Sequence, residues 1–226
     1  MRINKLFSNY GICSRKETNK LIEEKRVLVN GKIAETGQWV EESDFICLDG
    51  KKIEKKEKIY IALNKPIGIT CTASIDVSNN IIDFIDYKDY IFPVGRLDKD
   101  SQGLIILTND GEFSNKILES ENNHEKEYIV TVDKEINDEF ILKMSSGVEI
   151  LNTITRPCKV KKINKNSFNI ILTQGLNRQI RRMCLAFGYK VLKLERIRIM
   201  NIKIDGIDYG KYRNITKEEV DKIMNY

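Results

Sequence analysis

The feature that most constrains this chain is the run of β-rich segments that begins at Ile59 and succeed one another without regular intervening helices. "IYIALNKP" is an apolar strand stopped at Pro66, and "IFPVG", "GLIILT", "EYIVTV" and "SFNIILTQG" read the same way. "LKLERIRIMNIKI" has the alternation of a long ribbon. Only four helical stretches interrupt them, at about residues 79–86, 113–119, 137–144 and 178–187. Strands that follow strands cannot all be joined by parallel crossovers, so an α+β architecture with a mixed, mainly antiparallel sheet is expected.

Before Ile59 the texture differs. Ile3, Leu6, Phe7 and Tyr10 have helical spacing with Gly11 as a stop, and Ser14 with Glu17 forms a capping-box pattern that opens a second helix to about Lys25. "VLVNGKIA" then places Asn30-Gly31 between two strands, which suits a type I′ hairpin turn. "FICLDGKKI" adds a further strand and turn, and "EKKEK" is a solvated charge run able to link two domains. The 226 residues therefore divide into a helix–helix–hairpin unit with linker, residues 1–57, and a larger domain, residues 58–226.

Five cysteines, an odd number with no CxxC spacing, and a single histidine, His124, offer neither a disulfide framework nor a zinc site. They read as reduced, mostly buried thiols of a cytoplasmic protein. No signal peptide or membrane-length apolar run is present, so no membrane partner is expected. The net charge of +5 says little, but its distribution says more. Residues 1–32 hold eight Lys/Arg against three acids and residues 176–198 hold seven against one, whereas residues 33–50 carry five acids and no base. Two separate basic patches are what phosphate contacts require.

Four stretches can carry chemistry. In "GRLDKDSQGLIILTNDG" (95–111) an aspartate on a constrained turn can be aimed at a ligand, although Asp98, Asp100 and Asp110 all suit ordinary turn roles, with Arg96 as an ion-pair partner. In "GLNRQIRRMCLAFG" (175–188) Asn177 can cap a helix whose Ile180, Met183, Cys184 and Phe187 form a core stripe. Arg178, Arg181 and Arg182 at its start oppose the helix dipole, so a phosphate or a buried carboxylate should face them. In "HEKEYIV" (124–130) Tyr128 enters a strand beside Lys126, either as a packing ring or as a stacking surface for a nucleobase, and His124 is structural or exposed. In "IALNKPIGITCT" Lys65 follows a strand, either solvated or in contact with a phosphate.

Taken in order, "NKPIGITCT", "FPVGRLDKDSQGLIILTNDGEF", "EKEYIVTV" and "QGLNRQIRRM" resemble the motifs of the pseudouridine synthases, in the group that modifies ribosomal RNA and carries an N-terminal S4 domain. "RINKLFSNYGICSRKETNKLIEEKRVLVNGK" resembles the S4 RNA-binding module itself, and the likeness extends from residue 2 to about residue 222. The basic C-terminal extension of some relatives does not precede the last residue, Tyr226, so contacts made through such a tail are not expected.

The resemblance implies that Asp98 is the catalytic aspartate, Tyr128 the active-site tyrosine and Arg181 the arginine paired with the aspartate. It leaves Arg178 and Arg182 for phosphates, with Arg96 and Lys65 as helpers, and puts Leu194 under the uracil ring. Arg2, Lys5, Arg15, Lys16 and Lys20 would be the RNA contacts of the S4 module. The implied reaction isomerises uridine to pseudouridine: the N1–C1′ bond breaks, the uracil turns while held, and C5 bonds to C1′. An ionised carboxylate covered by a base benefits from an opposing guanidinium, and the uridine must leave its stack to be reached. No metal or organic cofactor is implied. The expected partner is RNA, either 23S rRNA or a large-subunit assembly intermediate, with small-subunit rRNA or tRNA as alternatives and a monomer as the acting species. A non-catalytic assembly factor using the S4 module alone is the competing possibility, and it predicts a damaged Asp/Tyr/Arg set.

Overall fold

The computed structural model describes residues 1–74, 77–119 and 124–226. The N-terminal unit consists of α1 (Ile3–Asn9), α2 (Arg15–Glu23), β1 (Val27–Val29), β2 (Lys32–Ile33), β3 (Ile46–Leu48) and β4 (Lys51–Lys52), its four strands antiparallel in the order β2-β1-β3-β4. Ile3, Leu6 and Phe7 close onto Leu21, Ile22, Val27 and Ile46 as a small core of their own. The Ser14 hydroxyl accepts from Glu17 N–H at 3.1 Å and starts α2. Asn30 and Gly31 both have positive φ, 51° and 80°, as the expected hairpin turn demands.

The charged run after β4 is exposed along residues 54–57, as expected, yet its backbone is tied down. Lys56 N–H donates to Tyr10 O at 2.9 Å, Lys58 Nζ lies 3.2 Å from Asp110, and Asn109 donates to Glu57 O and accepts from Ile59 N–H.

The larger unit comprises β5 (Tyr60–Lys65), α3 (Ile81–Ile85), β6 (Phe92–Pro93), β7 (Gln102–Thr108), α4 (Gly111–Leu118), β8 (Lys126–Val132) and α5 (Asp138–Ser145). These are followed by β9 (Glu149–Ile150), β10 (Thr153–Ile154), β11 (Lys159–Lys162), β12 (Ser167–Leu172) and α6 (Gln179–Ala186), then β13 (Val191–Ile199), β14 (Ile202–Lys203), β15 (Tyr212–Asn214) and α7 (Lys217–Met224). Nine strands form one sheet, β11-β12-β8-β13-β7-β5-β15, with β14 on β13 and β6 on β7. Every pairing among them is antiparallel except β13 with β7, so the sheet is mixed and mainly antiparallel.

Central β7 is buried along its whole length. Leu104 and Ile106 pack with Phe113 of α4 and Ile223 of α7, while Ile105 and Leu107 face Ile81 and Ile85 of α3. A strand covered on both faces carries an uninterrupted apolar run, which is what "GLIILT" provides. The "LKLERIRIMNIKI" ribbon resolves into β13 and a tight turn at Met200, φ 50°, into β14.

Three expectations are corrected. Asp110 is no solvated turn residue: its buried carboxylate caps α4, accepting from Glu112 N–H at 3.0 Å and from the Tyr60 hydroxyl at 2.9 Å. Asn177 does not cap α6; the N-cap is Arg178, held in the left-handed region at φ 50°. Helix α7 is absent from the sequence-based expectation, although Thr216 and Glu219 form a complete capping box there. His124 is structural, buried with Nδ1 3.3 Å from Ile117 O.

Candidate active site

Three strands and a helix start converge on one cleft of about 370 Å³. The loop from β6 to β7 turns at Gly95, φ 70°, and delivers Arg96 and Asp98. Strand β8 supplies Lys126 and Tyr128, and β13 supplies Leu194 and Arg196. The period of two along a strand aims each of these pairs at one face. Arg178, at the head of α6, closes the remaining side.

The loop is pinned from several directions. Ser101 N–H donates to Asp98 O at 3.0 Å, and Gly68 N–H holds Lys99 O at 2.8 Å. Where β7 begins, Gly103 lies beside Arg196 at φ 105°; a Cβ at this position would sit 2.3 Å from Arg196 O. Only glycine permits this approach of two backbones, and the approach brings β13 and its side chains under the Asp98 loop.

Asp98 is the only carboxylate among the described residues lining the cleft. Its Oδ2 lies 3.6 Å from Arg178 Nη1. The expected Arg181 pairing is not what the geometry shows. Arg181 Nη2 donates to Asp100 O at 2.8 Å and Ser101 Oγ at 3.0 Å, and its Nε lies 3.5 Å from Asp100 Oδ2. Arg178 itself makes a bidentate pair with Asp100, at 3.0 and 2.9 Å, so it is engaged by carboxylates rather than waiting for phosphate. This fork holds the Asp100 carboxyl below the usual range for an aspartate, and raises Arg178 in turn. Asp100, expected to be a solvated neighbour, thus clasps both arginines.

Lys65 also departs from expectation. It is fully buried, with Nζ donating to Pro66 O at 2.8 Å and Ile69 O at 3.0 Å, and burial pulls its ammonium below the ordinary lysine value. It therefore organises the turn after β5 from within. Arg182 turns back on its own helix start, where Nε donates to Asn177 O at 3.1 Å. Arg96 is exposed at the rim, and Leu194 is buried in the floor. The cleft thus gathers Arg96, Asp98, Tyr128, Arg178 and Leu194, with Arg181 and Lys65 behind its walls and Arg182 outside.

Lys126 and Arg196 are lining residues the sequence left unassigned. Burial, with Arg196 nearby, lowers the Lys126 ammonium. Arg196 is buried; its Nε donates to Leu104 O at 2.6 Å, and its Nη2 has no hydrogen-bond partner among the described residues. Both were legible as the residues two places from Tyr128 and Leu194 on a period-two strand. An anionic centre, two flat or apolar surfaces in Tyr128 and Leu194, and surrounding cations fit a planar polar ring joined to phosphate.

Arg2, Lys5, Arg15, Lys16 and Lys20 are all exposed on the N-terminal unit, Lys20 lying 3.8 Å from Glu24. Lys5 and Arg15 border a second groove, about 690 Å³, against Tyr90, Phe92 and Lys116 of the larger unit. Among the described residues no helix is long and apolar enough to cross a membrane.

Both parts of the chain are similar to known proteins. Residues 59–186 match the RNA pseudouridylate synthase family, and residues 1–46 match the S4 domain. The chain is 54% identical to the dual-specificity RNA pseudouridine synthase RluF of Salmonella typhi over 222 residues, covering 97% of this chain and 77% of that protein. It is 35% identical to the ribosomal large subunit pseudouridine synthase B of Bacillus subtilis, over 98% of this chain and 95% of that one. A crystal structure of a pseudouridylate synthase superposes with a TM-score of 0.73 at 28% identity, covering 99% of both chains. With an S4 domain ahead of a mixed-sheet catalytic domain, and identity to these enzymes sustained along nearly its whole length, the chain belongs to the RNA pseudouridine synthases, isomerases that act on uridine in RNA.

Proposed function

We propose that this enzyme isomerises a uridine of ribosomal RNA, in the 23S molecule or a large-subunit assembly intermediate, with Asp98 as the catalytic carboxylate. The observation that carries the assignment is the position of Asp98 as the sole described carboxylate in a cleft whose lining includes Tyr128, Leu194 and the cations Arg96, Lys126, Arg178 and Arg196. The uridine enters flipped out of its stack, at a cost of a few kcal/mol that contacts to the flanking phosphates offset. Tyr128 and Leu194 hold the two faces of the uracil while the N1–C1′ bond breaks and the ring turns to present C5. Arg178 faces the Asp98 carboxylate at 3.6 Å, and Arg181 acts one step removed, fixing the loop through Asp100 O and Ser101 Oγ. Arg96 faces the phosphates from the rim and Lys126 from within the cleft, Lys65 shapes the turn beneath, and Arg182 stabilises the head of α6.

Arg2, Lys5, Arg15, Lys16 and Lys20 carry the S4 contribution to binding, from a domain of residues 1–57 attached to a catalytic domain of residues 58–226. The enzyme acts as a cytoplasmic monomer. The Salmonella relative is named a dual-specificity RNA pseudouridine synthase; the alternative to 23S rRNA is the same chemistry on small-subunit rRNA or tRNA. An intact Asp98, Tyr128 and Arg181 set argues against a non-catalytic assembly factor.

Incubating unmodified 23S rRNA, 16S rRNA and tRNA with the enzyme and mapping pseudouridine tests the assignment. Product is expected in 23S rRNA with the parent enzyme and in none of the RNAs with Asp98→Asn, which should still bind RNA. Equal activity of Asp98→Asn refutes the catalytic role, and product confined to 16S rRNA or tRNA refutes the substrate.

A further inference from the structure

The S4 unit exposes a large aromatic side chain that its own folding does not use. Trp39, the only tryptophan, is 74% exposed although its backbone is firmly held. Ile3 N–H donates to Gln38 O at 2.9 Å, Val40 N–H to Met1 O at 2.8 Å, and the Met1 ammonium to Val40 O at 2.7 Å. Between these bonds Arg2 and Trp39 form an antiparallel bridge. Directly opposed residues in such a bridge project to the same side. Their neighbours Ile3 and Val40 are buried, so Arg2 and Trp39 point outward together.

Neither side chain has a folding reason to be there. An exposed indole forgoes the burial that would stabilise it. Arg2 is the N-cap of α1, but its side chain makes no cap hydrogen bond and forms no ion pair among the described residues, and a cation at that end gains nothing from the helix dipole. Lys5, one turn on, is exposed as well, and Glu41 and Glu42, also exposed, follow shortly after Trp39 in the chain. An unpaired nucleotide, a flat ring joined to a phosphate, fits an exposed indole beside a cation, whereas the bases of a duplex are already stacked on one another.

We propose that Trp39 and Arg2 form a docking site for one unpaired nucleotide of the substrate RNA, the base stacking on the indole and its phosphate meeting Arg2. The site is separate from the Asp98 cleft and does not depend on which residue performs catalysis.

Because Trp39 is the only tryptophan, its emission reports on the site directly. The full-length protein is titrated with a single-stranded RNA of about ten nucleotides, labelled for anisotropy so that binding is scored independently. Emission should be quenched in step with binding to the single strand, and left nearly unchanged by a duplex of the same sequence. Trp39→Ala should weaken single-strand binding by about 5-fold to 150-fold, the range stacking of one base supplies. Trp39→Phe should retain most of the affinity, and Arg2→Ala should lower the slope of log affinity against log salt by about one. Binding without quenching, or unchanged affinity in Trp39→Ala, overturns the proposal. So does an emission change that follows protein concentration without RNA, which would assign the surface to a second copy of the chain.

Discussion

Replacing Asp100 with asparagine separates the clasp from Asp98, the carboxylate proposed to be catalytic. Arg178 is shared: two bonds of about 2.9–3.0 Å to Asp100, and a longer contact of 3.6 Å to Asp98. Asparagine keeps the shape but removes the charge, so Asp98 becomes the strongest attraction for the guanidinium. Closing that contact from 3.6 to about 2.8 Å deepens the interaction by about 1.3 kcal/mol at an effective dielectric constant near 20. If the closer pair must be broken before substrate enters, the rate falls about tenfold. Stability should hardly move, because the Arg178 and Asp100 side chains are 41% and 49% exposed and such pairs contribute about 0–1 kcal/mol. Single-turnover release of tritium from RNA labelled at uridine C5 measures the chemistry, and urea unfolding measures the fold. The double variant supplies the control: with Arg178→Ala in place, Asp100→Asn should cost nothing further, because the guanidinium that would move is gone and Arg181 stays held by Asp100 O and Ser101 Oγ. A single variant with a rate within twofold of the parent, or an additive double variant, refutes the shared-arginine mechanism.

Other consequences can be checked on the purified protein. Gly103→Ala should cost at least about 3 kcal/mol in urea unfolding, because the new Cβ meets backbone of β13 that cannot yield and the residue must keep a φ of 105°; a loss under about 1 kcal/mol would mean the strands can part freely. Asp110 is raised by burial, but the Tyr60 hydroxyl, Lys58 and the α4 amides more than reverse this and hold it below the usual value. Its contribution is therefore complete above about pH 4 and is lost as pH falls through the depressed native value. Asp110→Asn should cost about 1–3 kcal/mol at pH 7 and flatten the stability profile in acid, and an unchanged acid limb would contradict this. Burial pushes the Cys158 thiol up to about 11 and Cys184 up to about 12. Alkylation at pH 8 should spare both in the native protein and reach all five cysteines after unfolding, and rapid native labelling of Cys184 would refute the burial.

Local order was largely legible. Ser14, Asn30-Gly31 and the strand "GLIILT" announce their structures because caps, hairpin turns and doubly covered strands depend on neighbouring residues only. Thr216 and Glu219 were equally legible and simply carried less apolar periodicity around them, with Val220 and Ile223 the buried positions of α7. The Asp98 loop, Tyr128 and Leu194 could likewise be assigned to one site from their motifs. Whether Lys65 is solvated could not be read, since "NKPIG" looks like any surface turn until Ile69 O and Pro66 O close over the ammonium.

By itself, then, the sequence determined the two-part organisation, most of the elements and the identity of the chemical groups. Tertiary structure alone decided which groups face one another. Arg178 and Arg181 are three residues apart on one helix start, equivalent in any local pattern, yet one reaches Asp98 and the other the backbone behind it. That choice rests on the left-handed turn at Arg178 and on the parallel junction of β7 with β13, where Gly103 meets Arg196 across more than ninety residues of chain. Contacts of this kind are set by register and close packing between distant segments, and no window of neighbouring residues encodes them.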